Sequence, residues 1–123
     1  MKVILCIATL FLISCGNNSG TDNKTATDSA KKEIKDPEAD KGLQLISKAD
    51  CFGCHKLNEA SIGPSYAAVH AKYKTINPQS MDSMVSQIIN GGSGRWGTVP
   101  MPAHIVTNEN AQSMVHYIMS VNP

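Results

Sequence analysis

The chain has 123 residues, with 11 lysine and arginine residues against 10 aspartate and glutamate residues. This length suits one domain, and the near balance of charge argues against a strongly basic nucleic-acid-binding surface. Docking to a partner through a large opposite net charge is not indicated either.

The N-terminus is typical of an export signal. Lys2 precedes an apolar run over residues 3–13, and the small residue Ser14 follows it. The run is about half of the ~20 residues that a membrane-spanning helix needs. Its ending, Leu12-Ile13-Ser14-Cys15, resembles a bacterial lipoprotein signal. That resemblance implies that residues 1–14 are removed and that Cys15 carries lipid; an ordinary signal with an incidental cysteine is the alternative.

Residues 15–35 are predicted to be a flexible tether. They are mostly Asn, Ser, Thr, Asp, Lys and Gly, and Ile34 is the only large apolar residue among them. Such a composition buries too little apolar surface to offset the entropy lost on ordering. We therefore expect a lipid-anchored protein on the periplasmic side of a bacterial membrane, with its folded domain in residues 36–123.

Four helices are predicted in that domain from capping residues, prolines and helical periodicity. Their starts are Asp36-Pro37, Gly63-Pro64, Asn77-Pro78 and Thr107 or Asn108. No segment alternates with period two, so the predicted fold class is all-α. Gly42 in the first helix is expected to let the last helix approach closely at Tyr117; a merely tolerated glycine is the alternative.

Residues 51–55 read Cys51-Phe52-Gly53-Cys54-His55, the C-x-x-C-H signal for covalent haem attachment. Two thiols at this spacing reach two vinyl groups at one porphyrin edge, and the adjacent histidine reaches the iron. A thioredoxin-like pair is typical of a βαβ context, zinc needs further ligands, and a structural disulfide needs no histidine. The motif therefore predicts one covalent haem c, with His55 as an iron ligand.

Met101 is the candidate for the sixth iron ligand. It lies in a loop between Pro100 and Pro102, which restrict the chain on both sides. The other methionines of the domain lie on helical stripes, where methionine commonly fills the core. The alternatives are three histidines: His70, His104 and His116.

Four stretches in this order resemble the small bacterial class I cytochromes c, and the resemblance covers residues 36–121. They are Cys51-Phe52-Gly53-Cys54-His55, Ile62-Gly63-Pro64-Ser65-Tyr66, Gly92-Ser93-Gly94-Arg95-Trp96-Gly97 and Val99-Pro100-Met101-Pro102. The resemblance implies a cytochrome c-like fold of about four helices around one covalently bound haem. It also implies that Met101 binds the iron.

Further site residues follow from the same resemblance. It implies that the carbonyl of Pro64, next to Gly63, accepts a hydrogen bond from the ring of His55. It also implies that Trp96 packs on the haem and donates its indole N–H to a propionate; plain core packing is the alternative. Arg95 is a candidate for neutralising a propionate, and the alternative is a solvated surface arginine.

The predicted function is that of a single-haem electron carrier in a respiratory chain, not an enzyme. Partners implied by resemblance are a quinol-oxidising complex, a terminal oxidase or a reductase, met through small transient contacts of a monomer. No nucleic acid is expected as a partner. The alternatives are a haem gas sensor or peroxidatic subunit with an open sixth iron position, and a subunit of a larger complex.

Overall fold

A computed structural model describes residues 36–123. This part of the chain contains five helices: α1 (Pro37–Lys48), α2 (Cys51–Cys54), α3 (Tyr66–Tyr73), α4 (Pro78–Asn90) and α5 (Asn108–Ser120). Its only β-type pairing is an isolated antiparallel bridge between Gly92 and Met101. The all-α prediction is confirmed.

The predicted signal (1–14), tether (15–35) and lipidated Cys15 lie outside the described residues. Within residues 36–123, none of the helices combines the length and the apolar character needed to cross a membrane.

Side-chain caps set the starts of the long helices as predicted. The carboxylate of Asp36 accepts a hydrogen bond from the Glu38 amide at 3.0 Å, so α1 begins at Pro37. Asn77 and Ser80 form a reciprocal capping box at α4, with both bonds 2.9 Å long. Thr107 caps α5.

The structure differs from the prediction in two details of the helices. The second predicted helix begins at Tyr66, because the hydroxyl of Ser65 caps it by accepting from the Ala68 amide at 3.1 Å; the Gly63-Pro64 pair lies in the preceding loop. The count of about four helices omitted α2. A helix of four residues has too few positions for a periodic pattern, so periodicity could not detect it.

The crossing of α1 and α5 is the centre of the core. A Cβ atom at Gly42 would overlap the carbonyl oxygen of Ser113 and lie 3.0 Å from Cβ of Tyr117. The hydroxyl of Ser113 donates to the Glu38 carboxylate at 2.6 Å across the same contact. The expected close approach at Gly42 is therefore confirmed, with Tyr117 on the opposite helix.

An aromatic cluster joins this crossing to α2 and α3. The rings of Phe52 and Tyr66 are 5.8 Å apart, and each packs against Tyr117, at 6.4 Å and 6.0 Å respectively. The last two contacts are edge-to-face, an arrangement that aromatic quadrupoles favour. The cluster therefore fixes the C-x-x-C-H segment against the helical core.

Gly42→Ala should destabilise the domain because the added Cβ must push α1 away from α5. Gly53→Ala is the matched control, since a Cβ there meets no atom within 4 Å. The two variants gain the same helix propensity, so their difference isolates an overpacking penalty of about 1–3 kcal/mol. Thermal unfolding of both haem-loaded proteins measures it, at ~4–8 °C per kcal/mol for a domain of this size. Equal melting temperatures would contradict the assigned contact.

Candidate haem site

A cavity of about 390 Å³ lies among the helices and the loops that follow α2 and α4. All the site residues predicted in the described part of the chain line it: Cys51, Cys54, His55, Gly63, Pro64, Arg95, Trp96 and Met101. Apolar core residues form much of the remaining wall, among them Ile46, Met84, Ile88 and Met114. The structure thus brings residues far apart in sequence around one largely apolar space.

The ring of His55 is held in a single orientation. Its Nδ1 lies 2.7 Å from the carbonyl oxygen of Pro64, as the sequence resemblance implied. A carbonyl can only accept, so the proton of the neutral ring is on Nδ1 and the lone pair of Nε2 is free to bind a metal.

Two neighbours restrict the same ring further. A Cβ at Gly63 would clash with the Cε1 atom of His55 and lie 2.8 Å from its Nδ1, so only glycine leaves room for the imidazole. Tyr66 stacks on the ring, with centroids 5.6 Å apart and planes inclined by 15°. Sequence reasoning assigned Tyr66 no role of its own at the site.

The loop carrying Gly63 and Pro64 is tied to the attachment motif by backbone hydrogen bonds. The Gly63 amide donates to the Cys54 carbonyl at 2.9 Å, and the Tyr66 amide donates to the Lys56 carbonyl at 3.0 Å. These bonds place the Pro64 carbonyl where the imidazole of His55 can reach it.

Cys51 and Cys54 occupy the two ends of α2, half-buried, and they are not joined in a disulfide. Asp50, whose φ of +55° is in the left-handed region, directly precedes the one-turn helix. The helix ends where the His55 amide donates to the Cys51 carbonyl at 2.9 Å. Burial raises the pKa of the Cys51 thiol. Both sulfurs therefore belong to the cavity wall and remain available for bonds to a ligand.

Hydrogen bonds join the backbone of Met101 to the residues that follow α4. Gly92 and Met101 exchange two hydrogen bonds, of 3.0 Å and 2.9 Å. Gly91 has φ of +67°, and a Cβ there would come within 2.5 Å of the Met101 carbonyl oxygen, so glycine is required for this close approach. Sequence reasoning had not identified the contacts of these two glycines with the methionine.

Side-chain contacts also hold the segment that contains Arg95 and Trp96. One Arg95 nitrogen donates to the Tyr73 hydroxyl at 2.8 Å and also to the Ser83 hydroxyl. The ammonium of Lys72 donates to the Arg95 carbonyl at 3.1 Å and lies 4.3 Å from the centroid of the Trp96 ring. Sequence reasoning had assigned Lys72 no role.

Both residues lie at the cavity and are exposed. The exposed fraction of Trp96 is 41%. Arg95 donates a hydrogen bond to the Tyr73 hydroxyl. Both remain candidates for contact with a cavity-bound group.

Two of the three alternative histidines lie outside the cavity wall. Nδ1 of His70 is 2.7 Å from the Val121 carbonyl oxygen, and Nδ1 of His116 is 3.4 Å from the Asp36 carboxylate. His104 does line the cavity, together with Met101. Of the sixth-ligand candidates predicted from the sequence, Met101 and His104 are therefore the ones that line the cavity.

These residues fit a haem. The cavity volume lies within the range of about 300–1,000 Å³ found for cofactor sites. Within residues 36–123, no group of three or more His, Cys, Asp or Glu side chains is arranged to hold a bare metal ion. Two thiols, two imidazoles (His55 and His104) and three thioethers (Met84, Met101 and Met114) instead line a largely apolar cavity, and such a set of donors suits a metal carried by a macrocycle.

The chain belongs to the cytochrome c family: the family model described as Cytochrome c matches residues 39–122. Cytochrome c-552 of Hydrogenobacter thermophilus is 38% identical over 78 residues, which cover 63% of this chain and 79% of that protein. Cytochrome c-551 of Allochromatium vinosum is 41% identical over 71 residues, covering 56% of this chain and 74% of that protein.

A solved structure agrees with the fold. Wild-type cytochrome c552 of Nitrosomonas europaea is similar with a TM-score of 0.59 at 27% identity, over 65% of this chain and 99% of that one. The prediction of a cytochrome c-like fold is confirmed. As a member of this family, the chain binds covalent haem c with its iron and is an electron carrier rather than an enzyme.

With His55 as the predicted iron ligand, Gly63→Ala should weaken the binding of iron by its imidazole, because the new Cβ must displace the ring from the Pro64 carbonyl. Loss of such a supporting hydrogen bond typically lowers metal affinity by about 10–100-fold. Since protons compete with iron for the imidazole, the midpoint of acid-induced ligand loss should rise by about 1–2 pH units, one for each tenfold. Visible spectra recorded during acid titration measure the midpoint. An unchanged midpoint relative to Gly53→Ala would contradict the role of Gly63.

Proposed function

We propose that this protein carries single electrons in a respiratory chain, with its haem iron held by His55 and Met101 and its haem joined to Cys51 and Cys54. The observation that carries the proposal is the cavity: it is lined by both thiols, by an imidazole whose Nε2 is free, and by a loop methionine. When bound, the haem supplies a ferric–ferrous couple that gains or loses one electron.

The two ligands are held in ways that suit electron transfer. Donation from Nδ1 to the Pro64 carbonyl raises the basicity of the His55 imidazole and prevents its rotation. The paired hydrogen bonds with Gly92 hold the Met101 backbone. Methionine as the second ligand raises the reduction potential and closes the iron to small molecules. Ligands that stay in place in both oxidation states keep the reorganisation small.

Trp96 and Arg95 are proposed to bind the haem propionates. The indole N–H of Trp96 is a single donor on a large apolar ring, and Lys72 holds that ring at the cavity. Arg95 uses one nitrogen for Tyr73 and Ser83, and its guanidinium has further donors for a carboxylate.

Redox partners are proposed to bind transiently at the rim of the cavity, and the protein is proposed to be a monomer. Ile62 and Val99 line the cavity and are 62% and 61% exposed, so an apolar surface surrounds the entrance. Small contacts of this kind suit rapid electron exchange. A quinol-oxidising complex, a terminal oxidase and a reductase are the proposed partner classes.

The protein is proposed to work outside the cytoplasm, attached to a membrane by lipid. Residues 1–14 are the proposed signal peptide, Cys15 the lipidated residue, residues 15–35 the tether and residues 36–123 the cytochrome domain. A flexible chain of that length spans about 25 Å. The anchored domain would then move over the membrane surface without leaving its partners.

Met101→Ala should lower the reduction potential by about 0.1 V or more, because axial ligands set haem potentials over a range of about 0.8 V. Protein-film voltammetry measures the shift. Met81→Ala is the control, since Met81 is half-buried against the core and does not line the cavity. An unchanged potential in Met101→Ala would contradict methionine ligation. Rapid, stoichiometric carbon monoxide binding by the reduced wild-type protein would favour an open sixth position instead.

Cys15→Ala should move the protein from the membrane fraction to the soluble fraction, because the residue that receives lipid is gone. Cys6→Ala is the matched control and should leave the distribution unchanged, since Cys6 lies within the proposed signal peptide. Fractionation with haem staining follows the protein, and the mass of the mature chain reports the lipid. Continued membrane retention of Cys15→Ala would count against the anchor.

A further inference from the structure

The four histidines of the chain differ in what their rings contact. Those of His55 and His70 are hydrogen-bonded to backbone carbonyls, and that of His116 pairs with Asp36. Within residues 36–123, the ring of His104 has no hydrogen-bond partner, and it lines the same cavity as Met101. His104 is therefore an imidazole at the cavity that the proposed electron carrier does not use.

The backbone of His104 is fixed close to the methionine loop. Its amide donates to the Ile88 carbonyl near the end of α4 at 3.1 Å, and its carbonyl accepts from the Val106 amide at 3.0 Å. The side chain is half-buried. His104 is the third residue after Met101, and such a length of chain spans at most about 10 Å. A modest movement of this loop would therefore bring the imidazole to the place of the thioether.

We infer that His104 is a reserve axial ligand, which binds the iron when the sulfur of Met101 no longer does. This inference rests on the proposed ligation by His55 and Met101. The exchange breaks an iron–sulfur bond and forms an iron–nitrogen bond from an imidazole lone pair, so it consumes no electron and no co-reactant. One event that would trigger it is attack of a peroxide on Met101, in which one peroxide oxygen is transferred to the thioether to give the sulfoxide and the peroxide is reduced to water or an alcohol.

The consequence is that loss of Met101 does not open the site. A second imidazole keeps the iron six-coordinate, at a lower potential than with methionine. External ligands must then displace His104, and their apparent affinity falls in proportion to the fraction of open iron.

Met101→Leu in the haem-loaded protein tests the inference, since leucine keeps the volume of methionine but offers no donor. It is compared with Met101→Leu/His104→Ala and with the control Met101→Leu/His70→Ala at about pH 8, where an ordinary imidazole is neutral. Met101→Leu and the control should stay low-spin by electron paramagnetic resonance. The double variant without His104 should turn high-spin, and its reduced form should bind carbon monoxide at least about tenfold more tightly.

Equal spectra and equal carbon monoxide affinities in Met101→Leu and Met101→Leu/His104→Ala would overturn the inference. The series Met101→Ala with and without His104→Ala repeats the comparison if the leucine variants fail to fold. His104→Ala alone should keep the wild-type spectrum. If it instead loses the low-spin state while Met101→Leu does not, His104 is the primary ligand. That result would also contradict the proposed ligation by Met101. Failure of the proposed ligation is thereby distinguished from failure of the reserve-ligand inference alone.

Discussion

The hydrogen bond between the His55 ring and the Pro64 carbonyl is the constraint on which the rest of the site depends. It selects the tautomer that leaves Nε2 free, and it sets the plane of the ring. It forms only because the Gly63 amide ties its loop to Cys54 and because position 63 has no Cβ. The loop with Gly63 and Pro64 thereby contributes to the binding site through its backbone.

The helical core positions this loop and also supplies the cavity wall. Ile46 of α1 and Met114 of α5 are almost fully buried, yet both line the cavity. The same close packing at Gly42 that stabilises the α1–α5 crossing therefore shapes the space in which the cofactor binds. For so small a domain, a large apolar cofactor also adds surface for burial that the chain alone lacks.

Local chemistry made much of this predictable from the sequence. Asp36, Asn77 and Thr107 begin helices because their side chains can satisfy free amides, a property that depends on a few neighbouring residues. The attachment motif is equally local. By contrast, the anchoring of Met101 by Gly92 is a long-range contact, and so are the contacts of Lys72 with the segment of Arg95 and Trp96. Such contacts depend on tertiary placement, which neither spacing nor composition specifies.

The two sides of the proposed iron site differ in how they are held, and this difference has consequences for function. On the His55 side the ligating ring itself is fixed, by the Pro64 carbonyl and by stacking on Tyr66. On the Met101 side the backbone is held by its bridge to Gly92, and the side chain packs against the core without a hydrogen bond to orient its sulfur. An unbranched thioether has more rotamers than a ring. We therefore place the proposed ligand exchange on the methionine side, with the imidazole of His55 as the proposed constant ligand of the iron.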